Sequence, residues 1–204
     1  MLYLPNVFGQ ASNNGINPPI NNISKLKEGT LVVRLDMKYS KVAAYQDMLL
    51  QESLSEKERI KTIEKLEKLK TERSIYKLNV MNAFEKAYTF SSVAFIENTY
   101  FNDYVDSGDL SKIETKYGSK NGIEKGRDVY YLIQGEHETH WIVCDAHLKK
   151  VKSPFPSEHD LGLKKFLDFI VGKENYSMEN MIKVVAKMND RFYRFYINTN
   201  PAIE

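Results

Sequence analysis

Between Gly29 and Gly108 the chain contains neither glycine nor proline. The residues that most readily end regular structure are absent there, and from Lys38 to about Phe90 propensity and charge pattern favour helix. One continuous rod of that length would not fit a compact domain, so a break is needed. Ser55-Glu56-Lys57-Glu58 provides it as a capping box, in which the serine hydroxyl and the glutamate three residues on satisfy each other's backbone N–H groups. The expectation is a helical hairpin over 38–89, with a short helix from about Lys38 to Leu50 and a long one from about Glu56 to Tyr88. On the long helix Ile60, Ile63, Leu66 and Leu69 recur at a spacing of three, and Leu78, Met81, Phe84 and Tyr88 continue the apolar face. The middle, LEKLKTERSIYK, reads as solvated and projecting from the body.

Strands are expected on both sides of this hairpin. TLVVRLD, Thr30 to Asp36, is rich in β-branched residues, and SSVAFIEN, Ser91 to Asn98, is short and apolar on both faces. The stretch from Thr99 to Arg127 reads as irregular, with one short helix capped by Asp109. DVYYLIQ and HWIVCDA are two more apolar runs separated by turn-forming residues, the pattern of a β-hairpin. A helix is expected from about Ser157 to Val171. Ser177 can cap a last one, in which Met181, Val185, Met188, Phe192 and Phe195 alternate steps of four and three. Strands that are apolar on both faces need covering on both sides. The order β-αα-β-(α)-β-β-α-α therefore implies an α/β fold, one mixed β-sheet with helices on both faces. Its front β-α-β unit requires a parallel first pair.

The 204 residues fit one domain, placed over 29–204, with 1–28 set apart. Gly9-Gln10-Ala11 has the small-x-small form of a signal-peptidase site and follows the apolar Leu2, Tyr3, Leu4, Val7 and Phe8. It reads as the tail of an export signal that starts upstream of Met1, which implies a periplasmic or secreted chain. The other reading is a flexible arm touching the fold through Leu2 and Leu4. Ser12 to Lys27, SNNGINPPINNISKLK, reads as a flexible tether with Pro18-Pro19 extended. A net charge of +2 with 27% charged residues leaves no footprint for nucleic acid. No segment approaches the ~18 apolar residues that span a bilayer as a helix. The single cysteine, Cys144, excludes an internal disulfide and a CxxC pair.

LVVRL, the charged hairpin, FEKAYTFSSVAFI, WIVCDAHLKKVKSPFP and AKMNDRFYRFY together resemble an uncharacterised group of small exported proteins from Bacteroidota, over most of Gly29 to Tyr196. The shared motifs are structural rather than catalytic, and the histidines are not among them. The element order also resembles the thioredoxin-like fold, with a helical hairpin in place of its first helix. Where thioredoxins carry CxxC this chain reads Met37-Lys38-Tyr39-Ser40, so that likeness concerns architecture only.

Three of the four histidines lie in GEHETHWIVCDAH, Gly135 to His147. The zinc-protease motif His-Glu-x-x-His is not matched, because Trp141 stands where the second histidine is required. On a strand His140, Ile142 and Cys144 share one face, and at ~3.3 Å per residue His147 falls roughly 20 Å from His140. A smaller zinc or copper site from His137, His140 and Glu136 or Glu138 is the alternative reading. Cys144 reads as a small buried hydrophobe rather than a nucleophile. RFYRFY completes the last helix's apolar stripe instead of stacking bases. NDYVDSGD does not match the calcium-loop spacing, and no cofactor motif is found.

Arg34 is the anomaly among the strands, because a guanidinium near the end of an apolar strand needs a partner when buried. Asp36, Glu97 and Asn98 end the two parallel strands beside it. They neutralise Arg34 as an ion pair, or they form with it a pocket for an anionic ligand at the sheet edge where α/β proteins bind ligands. The function expected is a non-enzymatic exported module that binds a protein or another envelope component through the hairpin or a sheet edge.

Overall fold

The computed structural model describes residues 18–115, 127–135, 140–159 and 178–200. In chain order the elements are α1 (Pro18–Glu28), β1 (Thr30–Leu35), α2 (Tyr39–Leu49), α3 (Glu56–Ala87), β2 (Ser92–Glu97), α4 (Asn98–Ser107), a short 3-10 helix (Leu110–Lys112), β3 (Glu114–Thr115), β4 (Val129–Gln134), β5 (Trp141–Cys144), β6 (Glu158–His159) and a last helix, α5 (Met178–Thr199). The strands form one mixed sheet in the order β3-β2-β1-β4-β5-β6. β1 is central and parallel to both β2 and β4, while β3, β5 and β6 join antiparallel. The fold is α/β with helices on both faces, as the apolar runs require.

Alternation along the strands sorts the core into two layers. Leu31, Val33 and Leu35 of β1, Phe95 of β2, Tyr130 and Leu132 of β4, and Trp141 and Val143 of β5 face one way, onto α1, α3 and α5. Phe84 sits among them, 5.8 Å from Trp141 in a stacked arrangement and 5.7 Å from Phe95 edge to face. Val32, Ala94, Ile96, Tyr131 and Cys144 face the other way, onto Phe101 and Tyr104 of α4 and onto Ile113. On α5 the stripe of Met181, Val185, Met188 and Phe192 is fully buried, and Phe195 packs half-buried at its end. Among the described residues no helix is long and apolar enough to cross a membrane.

Four expectations need correction. Residues 18–28 are no tether: they form α1, with Ile23 and Leu26 fully buried. Pro18 and Pro19 occupy its first turn, where the missing N–H would have had no helical acceptor. Second, the buried face of α3 is Thr62, Leu66, Leu69, Arg73, Tyr76, Val80 and Ala83, in alternating steps of four and three, whereas Ile60, Ile63 and Leu78 are exposed. A repeated step of three drifts ~60° around the helix each time and cannot hold one face. Third, 98–107 is helical, because Phe101 and Tyr104 anchor it and Gly108 closes it in the left-handed conformation at φ 69°. Fourth, Glu158 and His159 form an edge strand where a helix was expected to begin. The export-signal reading, His137 with Glu136 and Glu138, the Ser177 cap and the remainder of the expected 157–171 helix lie outside the described residues.

Gly29 is the tightest backbone contact at the amino edge of the sheet. A β-carbon there would stand 2.2 Å from the Asp128 carbonyl oxygen and 2.7 Å from that of Lys25, both backbone. Gly29→Ala must therefore push α1 or β4 away from β1. It is expected to lower the unfolding free energy by about 1–3 kcal/mol in urea titrations; an unchanged midpoint would refute this close-packing account.

Candidate functional site

The connections leaving β1 and β2 diverge. β1 runs into α2 and α3, and α3 covers one face; β2 runs directly into α4, which covers the other. The carboxyl ends of adjacent parallel strands with diverging connections are where open α/β sheets bind ligands. Asp36 and Glu97 both lie there.

Register decides which side chains can meet. Arg34 pairs with Ile96 and Leu35 with Glu97, so Arg34 and Glu97 project from opposite faces of the sheet. Among the described residues no carboxylate forms the expected ion pair with Arg34. The guanidinium of Arg34 instead stacks over Phe101, 5.1 Å from the ring centroid, with a buried Nε that has no hydrogen-bond partner among the described residues. A cation over an aromatic face is stabilised by about 0.5–1 kcal/mol, which replaces the carboxylate the sequence suggested.

Glu97 belongs to a cluster on the α3 face. Lys77 of α3 donates to Glu97 Oε1 at 2.8 Å and to Glu114 Oε1 at 2.5 Å, and the Tyr39 hydroxyl donates to Glu97 Oε2. Burial by itself would raise the Glu97 pKa, but the hydrogen bonds from Lys77 and Tyr39 and the Lys77 charge outweigh it and hold the carboxyl below its usual range. Burial likewise works against the Lys77 ammonium, and the bonds to Glu114 and Glu97 overcome it, so the Lys77 pKa is raised. For Tyr39, burial and the Glu97 carboxylate both raise the phenol pKa, which keeps it protonated and donating. Beside this cluster Asp36 pairs with Lys38 Nζ at 2.7 Å and accepts from Lys38 N and Asn98 Nδ2, while Asn98 Oδ1 accepts from Met37 N. Burial opposes ionisation of Asp36, and the Lys38 contacts and the Arg73 charge prevail, so its pKa is lowered. Lys38 itself is left-handed at φ 55°, a conformation that costs a non-glycine residue about 1–2 kcal/mol.

The carboxylates of Asp36, Glu97 and Glu114 are thus each engaged by a lysine of the same edge. These contacts tie the start of α2, the second half of α3, the end of β2 and β3 into one clamp at the root of the helical hairpin. Asn98 was read with Asp36 and Glu97, but Tyr39, Lys77 and Glu114 were not readable as their neighbours, because they come from three segments that only the sheet brings together.

The hairpin it holds is thinly packed. α2 contains no buried residue. Its Val42, Tyr45 and Leu49 are half-buried, and the Arg59 guanidinium donates to the carbonyls of Leu49 (2.7 Å) and Gln51 (3.4 Å), closing the end of α2. Ser55 and Glu58 form the expected capping box at the start of α3.

The remaining candidates separate in space. His140 lies at the mouth of the β4–β5 hairpin, where its carbonyl accepts from Gly135 N at 2.7 Å. His147 is exposed beyond the far end of β5, with its N–H on Asp145. Among the described residues no three His, Cys, Asp or Glu side chains are placed to share a metal ion. Cys144 is buried, and burial raises its thiol pKa, the opposite of what a nucleophile needs.

Lys77→Met is expected to lower the unfolding free energy by about 2 kcal/mol at pH 7, the scale of hydrogen bonds to charged groups. The Glu97 contribution is complete above its unfolded value of 4.5 and is lost as pH falls through the lower folded value. The gap between wild type and variant should therefore narrow in urea titrations at pH 3.5; an equal gap at both pH values would assign the loss to packing of the lysine stem. Arg34→Met, which keeps the stem and removes the charge, should shift stability by less than about 1 kcal/mol, whereas a loss of about 3–5 kcal/mol would indicate a buried ion pair. No protein-family model, curated protein or solved structure matches the chain.

Proposed function

We propose that this chain is a non-enzymatic binding module of the cell envelope, exported to the periplasm or the exterior, and that the tip of its helical hairpin is the surface that meets a protein partner. The observation that carries the reading is the apolar character of that tip. Leu50 in the connecting turn is 80% exposed, and Met48, Ile60 and Ile63 are 40%, 49% and 46% exposed. All four lie in the last turn of α2, the turn itself or the first two turns of α3. Apolar side chains gathered at one end of a projecting element are a common feature of association surfaces. The clamp at the root supports the same reading, because it fixes the angle at which the hairpin leaves the sheet without using the tip. The export half rests on the apolar run and small-x-small site near Met1.

The test is cross-linking in the native host from photoreactive residues at positions 48 and 63, in the wild-type background and in Leu50→Glu/Ile60→Glu. Ile197→Glu, on the exposed side of α5, serves as the control. Such surface changes alter stability by only about 0.5 kcal/mol, so they report on contact rather than folding. One partner protein, captured in the wild type and in Ile197→Glu and lost in Leu50→Glu/Ile60→Glu, is the expected result. Equal capture in all three, or capture in none, would overturn the hairpin assignment. Recovery of the chain solely from the cytoplasmic fraction would overturn the envelope assignment.

A further inference from the structure

His159 is the one histidine outside the GEHETHWIVCDAH run. It sits in β6, directly opposite Trp141 of β5, and is 3% exposed. Its ring meets Phe192 of α5 edge to face, with centroids 5.1 Å apart. Both ring nitrogens are buried, and among the described residues neither has a hydrogen-bond partner. We propose that His159 is an acid-sensitive latch: as a neutral imidazole it seats β6 against β5 and α5, and on protonation it releases β6 from the sheet edge.

The surroundings of the ring set the direction of the response. α5 brings the Arg191 guanidinium and the Lys187 ammonium near it, and the start of β5 brings His140. Within β6 itself Glu158 is the neighbouring carboxylate, but it pairs with Lys150, and both side chains are about half exposed to solvent. No carboxylate among the described residues contacts the imidazole. Burial first, and the Arg191 charge second, disfavour the protonated ring and hold its pKa at about 3; the Pro156 carbonyl acts the other way without reaching hydrogen-bond geometry. A proton arriving on this ring would be a desolvated charge among like charges.

β6 is also a short element, poorly placed to resist such a push. It is a two-residue edge strand, held by its pairing with β5, by the Arg191 Nη1 bond to the Glu158 carbonyl at 2.6 Å and by the Lys150–Glu158 ion pair. The residue before it, Ser157, accepts from Val143 N at 2.7 Å. Released histidine binds a proton at its ordinary 6.5, and docked histidine only near 3. The unlatched form therefore binds more protons throughout that window, and the opening equilibrium rises about tenfold per pH unit below 6.5.

Hydrogen exchange on the full chain at pH 6.5 and pH 4.5, corrected for the intrinsic pH dependence, tests this. Protection of the Val143 amide is expected to fall about 50-fold in the wild type, since half of the released histidine is already protonated at pH 6.5, while amides of the β1–β2 ladder keep theirs. In His159→Phe and, as a neutral polar replacement, His159→Gln, the Val143 amide should lose less than a few-fold. Unchanged wild-type protection, an equal fall in whichever variant folds, or parallel loss across β1 and β2 would each overturn the latch.

Discussion

β1 is parallel to both of its neighbours, and the rest of the structure follows from that pairing. Leu31, Val32 and Val33 each face β2 on one side and β4 on the other. No tight turn joins parallel strands, so after β1 and again after β2 the chain must leave the carboxyl edge, cross a face and return to the amino edge. The first crossing is the α2–α3 hairpin; the second begins with α4 on the opposite face. Covering both faces makes β1 the most deeply buried strand and explains why its sequence is apolar at successive positions. It also brings α1, β1 and β4 so close at the amino edge that only glycine fits at residue 29.

Stability is unevenly distributed over this plan. The second half of α3 is core: Tyr76, Val80, Ala83 and Phe84 are buried against the sheet and α5, and Phe84 alone meets Tyr88, Phe95 and Trp141. The first half of α3 relies on α2, which buries nothing completely. What joins the two halves is the polar clamp of Lys77, Glu97, Tyr39 and Glu114, seated where the hairpin meets the sheet. A projecting element with a fixed root and a lightly packed tip can meet another surface without disturbing the core. At the opposite edge of the sheet the reverse holds for β6, which is short and contains a buried histidine that has no hydrogen-bond partner among the described residues.

Much of the element plan was legible in the chain. The four main strands, the capping box at Ser55, the Asp109 cap and the α5 stripe all rest on local rules, namely β-branched runs, side-chain oxygens at helix starts and the 3.6-residue period. Two helices were not legible. Residues 18–28 look like a linker because asparagine and proline are common in linkers, and only the burial of Ile23 and Leu26 against the sheet makes them helical. Residues 98–107 have poor helix propensity, and docking of Phe101 and Tyr104 onto Tyr131 overrides it. Of the candidate site, Asp36, Glu97 and Asn98 lie together at the carboxyl edge, and Asn98 meets Asp36, yet Arg34 was misassigned as the partner of these carboxylates.

That misassignment marks the division between the two kinds of information. The sequence by itself determined an α/β chain with a helical hairpin after the first strand, because periodicity and caps act over a few residues. Tertiary structure alone decided that Arg34 would rest on Phe101 while Glu97 met Lys77, since a pairing register turns neighbouring strand positions to opposite faces. It likewise decided that His159, unremarkable in sequence, would be the buried imidazole, because its burial comes from β5 and α5 rather than from anything beside it in the chain.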